Sequence, residues 1–243
     1  MAVGYALITG GTKGIGLAVA RLLASRGYSL VLTYGHDQET ARAVAAELAE
    51  SAPSVELLQA DATDAKGIDL IAEALEQRDI TLQALIMNAG ITCRTPFEEM
   101  TIDEWQRVFF ANVHFPSFLI QRLLPRIERN NGCIIFTGSL MGIEPHGMAL
   151  PYGVSKSAVH ALTRNLVKHL EPYGIRVNAV APGFVDTEWQ KNKPAEIRRN
   201  IENKVALHRF ATPDEVAEAF LFLLANAYCN GEVLTLDGGY SFR

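Results

Sequence analysis

Cysteine is scarce in this sequence. The 243 residues include three cysteines, Cys93, Cys133 and Cys229, which lie far apart and form no Cys-x-x-Cys pair. An odd and widely spaced set indicates neither a disulfide framework nor a zinc site, so we expect small, buried apolar side chains. The same pattern favours a protein of a reducing compartment, the cytoplasm.

The chain also lacks an excess of basic residues and any long apolar run. It has 22 lysines and arginines against 27 aspartates and glutamates, a formal net charge of −5, and no basic cluster. A nucleic-acid partner therefore has no electrostatic support. No apolar segment is long enough to span a bilayer, and no basic segment followed by an apolar one opens the chain. We expect a soluble protein with no membrane partner.

What the sequence does contain is a regular alternation of two patterns. Short apolar runs predict strands near 4–9, 29–34, 55–60, 82–87, 132–138, 174–181 and 232–236. Stretches of helical period between them predict helices near 14–26, 37–51, 64–78, 101–128, 152–171 and 212–226. Strands and helices in alternation are typical of an α/β fold, a doubly wound parallel sheet of about seven strands covered on both faces. With 49% apolar residues and no linker, residues 1–243 are expected to form one domain.

The alternation lapses at about 184–211, a polar and charged segment between a strand end and the last predicted helix. Long insertions of this kind in compact domains are commonly lids or binding loops. We therefore assign the segment to substrate binding.

A glycine-rich turn follows the first predicted strand and opens the first helix. Its candidate cofactor-binding residues are Gly10, Thr12, Lys13, Gly14, Ile15 and Gly16. Backbone N–H groups at such a helix start can receive the pyrophosphate of a dinucleotide, and the glycines permit a tight turn. The spacing Gly-x-x-x-Gly-x-Gly differs from the common fingerprint G-x-G-x-x-G, and such turns also cap helices without any ligand.

The end of the second strand bears on which dinucleotide binds. NAD sites place an acidic residue there, but the sequence from Leu32 offers none until Asp37. Lys13 supplies a cation for the 2′-phosphate, so we expect NADP, with NAD as the alternative; an ordinary solvated lysine is the other interpretation of Lys13.

Two further strand ends complete the expected nucleotide site. Asp61 and Ala62 follow the third strand and are placed to reach an adenine, although Asp61 could instead cap the next helix. Asn88, Ala89 and Gly90 follow the fourth strand, where small residues let a ribose come close to the backbone.

A tyrosine and a lysine mark a candidate catalytic centre. Pro151 suits the first turn of a helix, on which Tyr152 and Lys156, four residues apart, share one face. An ammonium group beside a phenol favours the phenolate and should pull the phenol pKa from about 10 toward neutrality. Ser139, at the end of the fifth predicted strand, could hold the same substrate oxygen. The Tyr-x-x-x-Lys spacing alone is a weak pattern that also occurs by chance.

The motifs together resemble those of the short-chain dehydrogenase/reductase family. Thr9-Gly10-x-x-x-Gly14-x-Gly16, Asn88-Ala89-Gly90, Asn112, Ser139, Tyr152-x-x-x-Lys156 and Pro182-Gly183 occur in that family's order and spacing over essentially the whole chain. Within the family the chain is most similar to the 3-oxoacyl-(acyl carrier protein) reductases of fatty acid biosynthesis, through the segments Asn88–Thr92, Arg176–Asn178, Ala181–Phe184 and Asp237–Gly239.

The resemblance implies a role for each matching residue. Tyr152 would be the general acid of reduction, Ser139 would orient the substrate oxygen, and Lys156 would bind the nicotinamide ribose and lower the tyrosine pKa. Asn112 would hold a water in a proton relay, or else serve as a structural side chain. The residues implied to fix the nicotinamide carboxamide are Pro182, Gly183, Val185 and Thr187. A homotetramer is the assembly the family suggests.

The substrate is less sharply indicated than the chemistry. The carrier-protein reductases usually have an arginine ahead of the glycines that begin strands five and six, but this chain has Asn131 before Gly132 and Tyr173 before Gly174, with Arg129 nearby. We expect NADPH-dependent reduction of a 3-oxoacyl thioester, with acyl carrier protein as a candidate partner. A sugar, polyol, steroid or small ketone is the alternative substrate, and a non-catalytic dinucleotide sensor is the alternative class.

No metal is expected, because the six histidines form no cluster with ligand spacing. His160 and His169 follow Lys156 on the predicted long helix, too far along it to reach a nicotinamide. None of the histidines is assigned a catalytic role.

Overall fold

A computed structural model describes residues 4–191 and 193–242 of the chain. Its centre is a sheet of seven parallel strands in the order β3-β2-β1-β4-β5-β6-β7. The strands are β1 Tyr5–Ile8, β2 Ser29–Tyr34, β3 Val55–Gln59, β4 Leu82–Met87, β5 Cys133–Thr137, β6 Arg176–Pro182 and β7 Val233–Leu236. The predicted doubly wound parallel sheet is confirmed, and every predicted strand is present.

Helices cover both faces of the sheet. They are α1 Gly14–Ser25, α2 Gln38–Leu48, α3 Lys66–Gln77, α4 Ile102–Phe109, α5 Phe115–Leu123, α6 Leu150–Leu170, α7 Glu188–Lys191, α8 Ala195–Lys204 and α9 Pro213–Ala225. One apolar core forms where α1 and α9 pack on one face, around Leu23 and Phe220. The other forms beneath α3, α5 and α6, around Leu119 and Phe136. The central strands are buried on both sides, which is why they read as continuous apolar runs.

The helix predicted over 101–128 is wrong as a single element. Helix α4 ends at Phe109, a π-helical turn occupies Phe110–His114, and α5 runs only to Leu123. Pro116 explains the break, since proline has no N–H to donate and its ring crowds the carbonyl four residues earlier, that of Asn112. Pro125 lies in the short 3₁₀ turn that follows.

The segment 184–211 is not the irregular stretch that the sequence predicted. It contains α7 and α8, and none of the residues of α8 is buried. Most of α8 is polar or charged, and its large apolar residues are limited to Ile197 and Ile201, too few to form the apolar stripe by which sequence reasoning recognises helices. This is why the pattern was missed.

The strand order places the cleft. From β1 the chain continues to β2 and β3 on one side of the sheet, and from β4 it continues to β5, β6 and β7 on the other side. The neighbouring strands β1 and β4 therefore form the topological switch point of the sheet. Ligands of open α/β sheets bind outside the carboxyl ends of strands at such a point. The glycine turn after β1 and the Asn88–Gly90 segment after β4 both lie there.

Helix α6 begins close to its predicted start. Pro151 occupies its first turn and Ala149 precedes it with a left-handed backbone, φ 59°. Within the described residues, no helix combines the length and apolarity needed to cross a membrane.

Candidate active site

A cleft of about 630 Å³ opens at the carboxyl edge of the sheet. Most of the residues predicted from the sequence line it: Gly10, Lys13, Gly14, Ile15, Asp61, Ala62, Asn88, Ala89, Gly90, Ser139, Tyr152, Lys156, Pro182, Gly183, Val185 and Thr187. Thr12, Gly16 and Asn112 are not among its lining residues. One cavity therefore contains both the expected nucleotide residues and the expected catalytic ones.

The glycine turn has the backbone that its sequence requires. Gly10 and Gly14 have φ values of 62° and 53°, in the left-handed region that other residues seldom adopt. Gly16 serves packing instead, since a Cβ there would lie 2.3 Å from the Gly10 carbonyl oxygen. Thr12 is buried behind the cleft wall. The sequence predicted all of these residues as cofactor contacts. In the structure Gly10 and Gly14 line the cleft, whereas Thr12 and Gly16 pack behind it.

Asn88 supports this turn from the neighbouring strand. Its side-chain amide donates to the carbonyls of Thr9 and Gly10 at 3.1 and 3.2 Å, and its Oδ1 accepts from Thr137 Oγ1 at 3.1 Å. Three strand ends, those of β1, β4 and β5, are thereby held together. The sequence predicted Asn88 at the cofactor, and its own contacts show that it also fixes the shape of the turn.

The adenosine end carries an ion pair and a histidine–carboxylate contact that sequence reasoning missed. Lys13 Nζ lies 2.5 Å from Asp37 Oδ2, and His36 Nε2 lies 3.1 Å from Asp61 Oδ2. The hydrogen bond from Lys13 lowers the pKa of Asp37 to about 2. Asp37 also accepts from the Thr40 backbone and caps α2. Lys13 is thus held at the cleft by a carboxylate rather than left free in solvent.

Tyr152, Lys156 and Ser139 meet at the other end of the cleft. The Lys156 ammonium lies 5.5 Å from the centre of the Tyr152 ring and donates to the Thr137 carbonyl at 2.6 Å. The Ser139 hydroxyl hydrogen-bonds the Tyr152 phenol. Lys156 is only 4% exposed, and Trp189 from α7 packs edge-on against the tyrosine ring at 6.1 Å. The predicted pairing on one helix face is therefore present.

The pKa expected for Tyr152 is wrong for this structure. Burial raises the pKa of the phenol to about 12, opposed by the hydrogen bond from Ser139. Burial also lowers the pKa of Lys156 to about 8. In a site of low polarity the neutral form of each group is favoured, and this outweighs the attraction between ammonium and phenolate. At neutral pH the tyrosine is a protonated phenol, able to donate a proton.

Asn112 lies beside the centre rather than in the cleft. Its amide bonds Ile91 on both sides, accepting from the N–H at 2.8 Å and donating to the carbonyl at 3.0 Å. It also donates to Ser155 Oγ at 2.9 Å. The π-helical turn that contains Asn112 is a feature frequently found at functional sites. These contacts fit the structural alternative, and the water relay stays a prediction.

The substrate end of the cleft is largely apolar but includes cationic side chains. Its apolar lining comes from Met141, Met148, Trp189, Ile197 and Ile201. Arg94 and Lys193 line the same space. Burial, and then the charge of Arg94, lower the pKa of Lys193. Within residues 4–191 and 193–242, neither cation forms an ion pair.

Arg129, the nearest arginine to the two expected carrier-protein positions, is engaged with an aromatic ring. Its guanidinium lies 5.1 Å from the centre of the Tyr173 ring. The Asn130 N–H also donates to the Tyr173 carbonyl at 3.1 Å, so the segments that precede β5 and β6 are in contact with each other.

The described residues fit a nicotinamide dinucleotide. The left-handed glycines of the turn leave backbone N–H groups at the start of α1. At Gly90, a Cβ would lie 3.0 Å from Asn112 Oδ1 and 3.7 Å from the Lys156 ammonium, so a side chain there would crowd this end of the cleft. Pro182, Gly183 and Val185 continue the lining from β6 toward Tyr152.

Comparison with known proteins gives the same assignment. The family model described as Enoyl-(Acyl carrier protein) reductase matches residues 10–241. The chain is 35% identical to the uncharacterized oxidoreductase YmfI of Bacillus subtilis, covering 97% of this chain and 98% of that one. It is 34% identical to the 3-oxoacyl-[acyl-carrier-protein] reductase FabG of Aquifex aeolicus, covering 96% and 95%.

Solved structures are similar over the whole length. A short-chain dehydrogenase/reductase of Serratia marcescens superposes with a TM-score of 0.92 at 31% identity, covering 99% of this chain and 98% of that one. A short-chain dehydrogenase of Burkholderia cenocepacia in complex with NADP gives 0.91 at 29% identity, with 98% of each chain covered. With its cleft, its motifs and these relatives, the chain belongs to the short-chain dehydrogenase/reductase family of NAD(P)-dependent oxidoreductases.

Proposed function

We propose that this protein uses NADPH to reduce the carbonyl of a 3-oxoacyl thioester to a secondary alcohol. The observation that carries the proposal is the meeting of Tyr152, Ser139 and Lys156 in one cleft, with the phenol protonated at neutral pH. A protonated phenol suits reduction, because that direction requires a proton donor.

Each residue has a part in this reaction. Ser139 and Tyr152 hold the substrate oxygen by hydrogen bonds, and the Tyr152 phenol gives that oxygen its proton. The Lys156 ammonium, over the tyrosine ring, stabilises the phenolate as it forms. Asn112 has a structural role, which its hydrogen bonds to Ile91 indicate. A water beside it would return a proton to Tyr152 through Lys156. When bound, the dinucleotide supplies the hydride.

The nucleotide end supports NADP over NAD. No carboxylate lies between Thr33 and Gly35, the residues at and just after the end of β2 that line the cleft, and Lys13 lies there beside the glycine turn. The Lys13 ammonium would then pair with both the 2′-phosphate and the Asp37 carboxylate. The NADP complex of the similar Burkholderia protein agrees with this choice. Backbone groups of Asn88, Ala89 and Gly90 would hold the nicotinamide ribose together with Lys156.

The substrate assignment has two supports. The relatives from Aquifex aeolicus and Synechocystis are 3-oxoacyl-[acyl-carrier-protein] reductases, 34% and 32% identical. The apolar wall from Met141 to Ile201 suits an acyl chain. Acyl carrier protein is the proposed partner, in the cytoplasm, with a homotetramer as the proposed assembly.

A second candidate substrate is a small ketone that bears a carboxylate. Arg94 and Lys193 form a pair of cations in the cleft that an anion would neutralise. One relative, 32% identical, is the cis-4-hydroxycyclohexanecarboxylate dehydrogenase of Sinomonas cyclohexanicum. The retained Ser139, Tyr152 and Lys156 disfavour a sensor without turnover.

A substrate panel tests the assignment. NADPH oxidation would be followed with an acetoacetyl thioester, with 4-oxocyclohexanecarboxylate and with a 2-enoyl thioester. Turnover of the first alone supports the proposal, and preference for the oxo acid supports the second candidate. The enoyl thioester is included because the matching family model is described as an Enoyl-(Acyl carrier protein) reductase. Reduction of its carbon–carbon double bond would overturn the carbonyl assignment.

A further inference from the structure

His160 is a buried polar side chain that the reaction just described does not use. It lies on α6 one turn beyond Lys156 and two turns beyond Tyr152, and it is 4% exposed. Buried imidazoles require partners, because an unsatisfied polar group in the interior is costly. The partners of His160 are the backbone groups around Ser139.

Side chains of α6 hold the two ends of the turn that carries Ser139. His160 Nε2 accepts the backbone N–H of Ser139 at 3.3 Å. At the other end of the turn, the Gly142 backbone lies close enough to the imidazole to raise its pKa, and the Gly142 carbonyl accepts from the Ser157 hydroxyl at 2.8 Å. Between these two contacts runs the 3₁₀ turn Leu140–Gly142, which Ser139 caps by accepting from the Met141 N–H. The imidazole therefore ties the Ser139 end of this turn to α6, and Ser157 ties the Gly142 end.

The surrounding glycines leave room for this ring. A Cβ on Gly138 would lie 2.4 Å from His160 Nε2, and one on Gly142 would lie 2.8 Å from its Cε1. Both distances are too short for a real carbon atom. Glycine at 138 is thus a condition for the imidazole to occupy its position, whereas a Cβ at Gly142 would first meet the Lys156 backbone, at 2.7 Å.

The protonation state agrees with an acceptor at Nε2. Burial, and then the charges of Lys156 and Arg164 on the same helix, lower the pKa of His160 to about 4. The neutral ring has one acceptor and one donor nitrogen. With Nε2 accepting from Ser139, the proton is on Nδ1, where it is available to the Gly142 carbonyl.

We propose that His160 is a positioning residue for Ser139. Tyr152 and His160 are carried by the same helix, whereas Ser139 is carried by the turn after β5. The hydrogen bond from the Ser139 backbone to His160 fixes the position of the serine relative to the tyrosine. The His160 ring itself touches no reacting atom. This inference rests on the proposed carbonyl reduction.

The test compares two amide side chains of different length. Glutamine at position 160 places an amide near the Nε2 position and keeps an acceptor for Ser139, whereas asparagine reaches only the Nδ1 position. We expect His160→Gln to keep kcat within about threefold of wild type and His160→Asn to lose about 10- to 100-fold, with the Kd for NADPH unchanged in both. Equal kcat for the two variants would overturn the proposal.

A double-mutant cycle separates positioning from general damage. If His160 acts through Ser139, His160→Asn should add less than a twofold loss of kcat in a Ser139→Ala background. An equal loss in both backgrounds would overturn the proposal.

A third readout is independent of turnover. Hydrogen exchange of the Ser139 amide, measured by NMR, should be at least tenfold faster in His160→Asn than in His160→Gln. Equal exchange rates would overturn the proposal even if no carbonyl substrate is reduced. Inactivity of the wild-type protein on every carbonyl, by contrast, would overturn the proposed function alone.

Discussion

At the scale of single residues, burial shifts the pKa values of the catalytic pair, upward for the Tyr152 phenol and downward for the Lys156 ammonium. The spacing of Tyr152 and Lys156 was enough to predict that they share a helix face, because side chains four apart in a helix are neighbours. Their pKa values were not predictable in this way. They depend on how completely other segments, such as Trp189 from the distant α7, exclude water from the pair.

The pH dependence of the reduction follows from Lys156. Its pKa of about 8 means that the stabilising ammonium is present below that pH and lost above it. We therefore expect kcat/KM for the carbonyl substrate to fall about tenfold per pH unit above about 8. Rates measured from pH 6 to 10 would show this limb.

Lys156→Arg is the matched control for that profile, because arginine does not titrate in this range. The variant should have a lower kcat/KM, but its kcat/KM should not fall above pH 8. If kcat/KM of Lys156→Arg falls above pH 8 as it does in wild type, a group other than Lys156 causes the decrease.

The free energy of unfolding should also depend on pH through the lowered pKa of Lys156. Below about 8 Lys156 is charged in both folded and unfolded chains, and the folded state bears the cost of burying the charge. Between pH 8 and 10.5 the folded lysine loses its proton first, so that cost disappears as the pH rises. Relative to Lys156→Met, wild type should therefore gain about 3 kcal/mol in free energy of unfolding over this range. Urea unfolding at pH 7.5 and 10.5 measures the difference, and a constant gap would contradict it.

At the scale of elements, turns and breaks in helices locate the site. The glycine turn was predictable, because its left-handed residues Gly10 and Gly14 are glycines in the sequence. The π-helical turn at Asn112 was not predicted, although Pro116 carried a usable signal. The link between the Ser139 turn and His160 joins positions 21 residues apart, and no local pattern indicates it.

Substituting the first of these glycines tests the turn. Gly10→Ala places a Cβ 3.3 Å from the Ala89 Cα and forces a left-handed backbone on alanine. The strain should cost about 1–2 kcal/mol in free energy of unfolding, and NADPH affinity should fall at least tenfold. Chemical denaturation and fluorescence titration measure the two effects.

Gly147→Ala is the control for Gly10→Ala, because a Cβ at Gly147 meets no atom within 4 Å. It should leave both quantities unchanged. Normal NADPH affinity in Gly10→Ala would show that the turn is not the pyrophosphate site.

At the scale of the whole molecule, the strand order brings distant segments to one cleft. The alternation of strands and helices was sufficient to predict the doubly wound sheet, and therefore which strand ends face the ligand. It could not predict how residues 184–211 fold over that edge, because only Ile197 and Ile201 interrupt the polar sequence of α8. Two of the cations that line the cleft, Arg94 and Lys193, come from segments about a hundred residues apart and meet only in the folded chain.

Dinucleotide binding to this cleft should stabilise the whole fold. A ligand at 100 times its Kd adds about 2.7 kcal/mol, so the tighter ligand raises Tm further at equal concentration. We expect NADPH to raise Tm more than NADH, because Lys13 meets the 2′-phosphate. In Lys13→Ala the two shifts should become equal, and Lys66→Ala, on the surface helix α3, should leave them unchanged. A larger shift with NADH in wild type would contradict the choice of cofactor.

The central claim is that the Tyr152 phenol donates the proton to the carbonyl. The most direct measurement is single-turnover oxidation of bound NADPH by the carbonyl substrate in Tyr152→Phe, which removes the hydroxyl and keeps the ring against Trp189. The account predicts unchanged NADPH affinity and a rate about 10²- to 10⁴-fold below wild type. A Tyr152→Phe protein that oxidises NADPH at the wild-type rate would contradict it.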